Sequence, residues 1–144
     1  MSLRYDAGDD AGPTPTEVLS AVDQPSRKNI VGTVVGHPKG MPSFKEIDHM
    51  NPSLASSTVS EHLDRLRAAG VVDVVRWTAE GRDATAPKAF YYLTDAAREI
   101  LDRNGVFGED GYRSVYEQVT LPEEIETHLH AERPAVDAAT VDLN

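Results

Sequence analysis

The chain has 144 residues, 24 of them acidic and 14 basic, for a net charge of −10, and it contains no cysteine. That length fits one domain with tails, and the missing thiols exclude disulfides, thiolate metal sites and cysteine nucleophiles together. No run approaches the roughly 20 apolar residues of a bilayer-spanning helix, and the acidic N-terminus lacks a signal-peptide pattern, so the expectation is a soluble, cytoplasmic protein without a membrane partner.

The charge is unevenly distributed. Residues 1–25 carry a net −4, residues 26–93 a net +2 and residues 94–144 a net −8, so the acidic excess lies outside the middle of the chain. Lysine occurs only at Lys28, Lys39, Lys45 and Lys88, whereas arginine is used freely. This balance resembles proteins of salt-loving archaea. Carboxylates keep such a surface hydrated in concentrated salt, with monovalent cations held near them, where screening over about 3 Å at 1 M removes most self-repulsion.

Residues 1–13 are acidic and glycine-rich and are expected to be disordered. Thr14-Pro15-Thr16-Glu17 reads as a capping box with proline in the first turn, opening a short helix whose apolar face is Val18, Leu19 and Val22 and which Pro25 ends. Ser26 can cap a second helix with Arg27 and Lys28 in its first turn. Its Ile30, Val31, Val34 and Val35 fit a 3.6-residue period better than a strand, although Gly32 and the β-branched residues favour the strand. Gly36, Pro38 and Gly40 make a turn. Ser43-Phe44-Lys45-Glu46 is a second capping box, opening a short helix with Phe44 and Ile47 inward, and Asn51-Pro52-Ser53 turns into the next element.

The following stretch, S-L-A-S-S-T-V-S-E-H-L-D-R-L-R-A-A-G over residues 53–70, organises the rest. Helical spacing puts Val59, Leu63 and Leu66 on a core stripe and turns Ser57, Ser60, Glu61 and Asp64 to the opposite side. Small hydroxyl residues crowd its first turn, where free N–H groups and partial positive charge suit approach to phosphates and base edges. Gly70 closes it. Val71 to Trp77 then forms a strand, Thr78 to Ala89 a long loop with Glu80-Gly81-Arg82-Asp83 at its tip, and Phe90 to Leu93 the return strand. Thr94 and Asp95 cap a helix through Ile100 and Leu101, ended by Asn104-Gly105.

The succession from this helix through the strand pair to F-Y-Y-L-T-D-A-A-R-E-I-L closely resembles winged helix-turn-helix regulators of the ArsR and MarR type over residues 14–104. The resemblance implies a mainly helical α+β fold, a winged helix-turn-helix with a two-stranded wing over 78–89 and additional C-terminal helices. It implies a homodimer binding double-stranded DNA. The absent cysteines mean that the thiolate metal sensing of many such regulators is not carried over. Residue by residue, it places base readout on Ser56, Ser57, Thr58, Ser60 and Glu61 of a recognition helix near residues 56–69. Serine and threonine can bond several bases, and glutamate can accept from cytosine.

Ser26, Arg27, Lys28, Lys45, Arg65, Arg82 and Lys88 are the candidates for the DNA backbone. Arg82 suits a minor groove, although Glu80 and Asp83 can equally pair it locally. In the resembling family the first and last helices pair two protomers, which puts Val18, Leu19, Tyr112, Val115, Tyr116 and Val119 at the dimer interface. Packing of residues 105–133 back on their own domain is the rival. Pro122 to Ala131 reads as a last acidic helix and residues 134–144 as loose. His128 and His130 diverge by about 200° in a helix, so that only Glu126 with His130, or His128 with Glu132, shares a face, and no metal site is expected. With no glycine-rich phosphate loop and no nucleophile elbow, neither enzymatic activity nor a cofactor is expected. A winged-helix module binding protein within the transcription machinery is the alternative function.

Overall fold

The computed structural model describes residues 12–77, 85–107 and 117–134. Helix α1 spans Pro15–Val22, α2 Pro25–Gly36, α3 Phe44–His49 and α4 Ser56–Ala68. Strands β1 (Val72–Arg76) and β2 (Ala89–Leu93) follow, then α5 (Asp95–Arg103) and, closing the chain's described part, α6 (Glu123–His130). The expected capping boxes exist: Thr14 with Glu17 at α1, and Ser43 with Glu46 at α3. Helix α2 begins one residue before its expected cap. Gln24 Oε1 accepts the Arg27 N–H at 2.8 Å, which lets Pro25 open α2 at the position where a missing N–H costs nothing.

Helix α2 is the centre of the fold. Residues Ile30 to Gly36 are all buried, so its apolar residues encircle the axis, which is why its period read ambiguously between helix and strand. Around it gather Val18 and Val22 of α1, Ile47 of α3, Val59, Leu63 and Leu66 of α4, and Ala97 and Leu101 of α5.

The strands form an antiparallel pair with Val72 opposite Leu93, Val74 opposite Tyr91 and Val75 opposite Phe90. The Trp77 N–H to Lys88 carbonyl bond, 2.8 Å, carries the ladder one step toward the wing. On the other edge of β2, the Tyr91 N–H donates to the Pro42 carbonyl at 2.8 Å, tying the approach to α3 onto the sheet. Val72 and Leu93 join the main core, whereas Phe90, on the opposite face, is fully buried with the Arg133 guanidinium over its ring at 4.6 Å. Both faces of this small sheet are therefore covered. No helix among the described residues is long and apolar enough to cross a membrane.

Candidate nucleic-acid interface

The turn between α3 and α4 sets the pose of α4. Asn51, 7 % exposed, donates through Nδ2 to the Ile47 carbonyl at 2.7 Å and to Thr33 Oγ1 at 3.4 Å, which pins the end of α3 against α2. The Leu54 N–H closes the turn on the Asn51 carbonyl at 3.1 Å. Ser56 Oγ donates to Asp48 Oδ2 at 2.8 Å, a second tie across the same turn. Held this way, α4 has Ala55 as its N-cap, a residue with no polar side chain with which to cap. The first-turn N–H groups therefore have no side-chain cap among the described residues, and their partial positive charge is available to an anion.

The core stripe of Val59, Leu63 and Leu66 is buried, as the spacing predicts. Ser57, Ser60 and Glu61 are exposed, and Thr58 is half-buried. Ser57, Glu61 and Asp64 lie nearly opposite the stripe, Ser56 and Ser60 on the flank toward α3, and Thr58 and His62 on the flank toward α1 and α2. The predicted reading residues thus share one helix end, with Ser56 already engaged by Asp48.

The proposed clamp residues separate. Lys28, Arg65 and Lys88 are exposed, and Ser26 and Arg27 are half-buried at the start of α2. Arg27 folds back so that its Nε donates to the Ala21 carbonyl at 2.6 Å, satisfying an orphan acceptor at the end of α1. Lys45 is paired with Glu124 of α6, so its charge is already met inside the chain. Its hydrogen bond and charge hold the Glu124 carboxyl below the usual carboxylate range. Arg82 lies outside the described residues.

Among the dimer candidates, Val18 is a correction. It is fully buried in its own core, where α1 packs on α2 and α5, and offers no surface to a partner. Leu19 is half-buried and lines a groove of about 670 Å³ with Val106, and Val119 is 36 % exposed. Tyr112, Val115 and Tyr116 lie outside the described residues.

Sequence reasoning missed the polar centre that joins α6 to α3. Glu46 is completely buried. Its Oε1 accepts from the Ser43 N–H at 2.9 Å and Arg133 Nη2 at 2.6 Å, while Oε2 lies 2.7 Å from His37 Nε2. The Lys39 N–H donates to His37 Nδ1 at 3.0 Å, so Nδ1 is the acceptor and Nε2 carries the proton toward Glu46. Burial holds the His37 pKa below its ordinary value, outweighing the attraction of Glu46. For Glu46, burial pushes upward, but the bonds from His37 and Ser43 and the nearby Arg133 win, leaving it below the usual carboxylate range. His128, also buried, places Nδ1 2.7 Å from Ser43 Oγ, and burial chiefly depresses its pKa. Arg133 completes the latch by donating to the carbonyls of Met41, His128, Leu129 and Ala131. The capping box signalled Glu46, but nothing local in the sequence signals that a residue 87 positions away meets it. Among the described residues, no group of three or more potential metal ligands is gathered.

No family model and no curated protein matches the chain. Among solved structures it is similar to that of a protein with a GntR superfamily winged-helix-turn-helix domain from Halomicrobium mukohataei, with a TM-score of 0.76 and 25% identity over 94% of each chain. That neighbour's domain is of the GntR superfamily, so the likeness supports the winged helix-turn-helix level and not the ArsR or MarR type specifically. The order of helices and the two-stranded antiparallel sheet agree with it: the chain has the winged helix-turn-helix fold.

Proposed function

We propose that the protein is a cytoplasmic transcriptional regulator, not an enzyme, that binds double-stranded DNA as a homodimer through α4. The observation that carries this reading is the exposed, uncapped N-terminal turn of α4, with Ser57, Ser60 and Glu61 gathered on it. A helix end of this kind fits a major groove, where hydroxyls and a carboxylate meet base edges and the N–H groups meet phosphate. Lys28, Arg65 and Lys88 are the exposed cations that serve the backbone on either side. The winged helix-turn-helix neighbour from a haloarchaeon supports both the function class and the reading of the acidic, lysine-poor composition as that of a salt-loving organism.

Two copies reading a pseudo-palindrome would place their α4 helices about 34 Å apart, in successive major grooves. Leu19 and Val119 are the described apolar positions on which such pairing would draw, together with Tyr112, Val115 and Tyr116. Genomic duplex fragments retained by the protein at low and at molar potassium chloride test the reading when sequenced. Enrichment of a motif with two-fold symmetry is expected; no enrichment at either salt would sink it in favour of a protein-binding winged-helix module.

A further inference from the structure

Where the C-terminal half of α4 passes α1 and the start of α2, a cleft of about 400 Å³ opens, and both Arg27 and Arg65 line it. Arg27 uses Nε on the Ala21 carbonyl, which leaves its terminal nitrogens, and Arg65 has no side-chain partner among the described residues. The carboxylate on the cleft wall, Glu17, is already occupied, its Oε1 accepting from the Thr14 N–H at 3.0 Å and from Thr14 Oγ1 at 3.2 Å. Among the described residues, four other cations meet an acid: Lys45 has Glu124, Arg67 has Asp73, Arg103 has Glu99 and Arg133 has Glu46. In a protein with ten more acids than bases, this cleft brings two guanidinium-bearing side chains together, and neither has an ion pair among the described residues.

His62 registers the same local excess of positive charge. Its Nδ1 is buried without a hydrogen-bond partner, and burial first, then Arg27 and Arg65, hold its pKa below the ordinary value against the pull of Glu61. The cleft also has a defined relation to α4. Ser57, Glu61 and Asp64 point away from the core, while Arg65 turns from them toward the α1 and α2 flank that His62 and Ala69 share. The cleft therefore lies beside the reading face.

We propose that this cleft is an oxyanion seat, in which Arg27 and Arg65 together hold one phosphate group. Planar guanidinium forks suit such a group, because each presents paired donors to its oxygens. The group can come from the DNA backbone, since the flank of a helix lying in a major groove faces the groove wall, or from a free phosphate in solution. The first source rests on the DNA-binding function proposed above, and the second does not.

The test uses the full-length protein, with the His62 imidazole followed by NMR as inorganic phosphate replaces chloride at constant ionic strength. A saturable response is expected, with the His62 midpoint moving upward as the anion offsets Arg27 of α2 and Arg65 of α4; Glu61 of α4 and Glu17 of α1 are the acids facing the same region. Arg65→Ala should weaken the response by about tenfold or more, the worth of a charge-assisted bond, whereas Arg103→Gln, outside the cleft, should leave it alone. Duplex binding separates the sources. If a backbone phosphate occupies the seat, Arg65→Ala reduces the slope of log affinity against log salt by about 0.9. An unchanged slope with a lost phosphate response assigns the seat to a free phosphate. No saturable response in the wild-type protein together with an unchanged slope overturns the seat altogether. Failure of the protein to bind any duplex would remove the function proposed above while the phosphate titration still reads the cleft.

Discussion

Glu46 takes part in a capping box, an ion pair and a histidine bond while fully buried, so its environment is more demanding than any other carboxylate described here. A buried charge is tolerable only while each partner is present. Arg133→Ala should therefore destabilise the fold by about 3–5 kcal/mol, measured by denaturant unfolding. A loss under about 1 kcal/mol would mean that the latch is not formed in solution. The same centre fixes a pH dependence. His37 and His128 have folded pKa values below their unfolded ones, so the folded state binds fewer protons, and the stability they contribute is complete above about pH 6.5 and falls as the pH drops below it. Glu46 adds a further loss at more acid pH, as the pH falls through the ordinary carboxylate value toward its depressed one. Midpoints of thermal unfolding followed from about pH 7.5 down to about pH 3 should decline in that order, and a flat profile would contradict the assignment. On α4, Ser57→Ala and Glu61→Ala should change which duplex sequence is preferred, while Lys28→Ala should weaken all sequences alike. Selected-sequence profiles would show the split, and identical profiles for the two groups would erase it.

Helix ends made the element order legible. Thr14 with Glu17, Ser43 with Glu46, and Thr94 each cap the helix that their spacing predicts, because a cap is a contact between residues two or three apart. Gly70 likewise ends α4: its φ is +78°, and the Val71 N–H to Leu66 carbonyl and Gly70 N–H to Arg67 carbonyl bonds close the last turn. Gly70→Ala should cost about 1–2 kcal/mol from the left-handed backbone alone. The real loss should be larger, because the added Cβ would lie 2.8 Å from Pro13 Cβ. A neutral effect in denaturant unfolding would show that the segment at Pro13 does not pack there. What stayed hidden was non-local. The family resemblance puts Val18 at a dimer interface, but an amphipathic stripe does not say what it packs against, and here it packs on its own α2 and α5. Nor does any local pattern signal that α6 brings Glu124 beside Lys45. The exposed face of α4 was legible because its exposure follows from the helix's own period. The latch was not, since His37, Glu46, His128 and Arg133 meet through the fold alone.

At the scale of the whole molecule, the tension is between a net charge of −10 and the polyanionic partner proposed above. The chain relieves part of it by position. Residues 26–93, which contain α2 to β2, carry a net +2, and the −8 of residues 94–144 includes α6, docked on α3. Cations gathered at those carboxylates in concentrated salt would lower the remaining repulsion toward duplex phosphates, and binding would then take up cations at the protein as it releases them from DNA. The expected outcome is a salt dependence much shallower than counterion release alone gives, with binding persisting at molar potassium chloride. Folding stability should rise over the same range, because screening reduces repulsion within the acidic segments. Affinity and thermal midpoints measured from 0.1 to about 2 M potassium chloride check both halves. A steep, ordinary fall in affinity with an unchanged midpoint would show that the acidic surface is not an adaptation to salt, and that the positive balance of residues 26–93 acts without cations held at the protein.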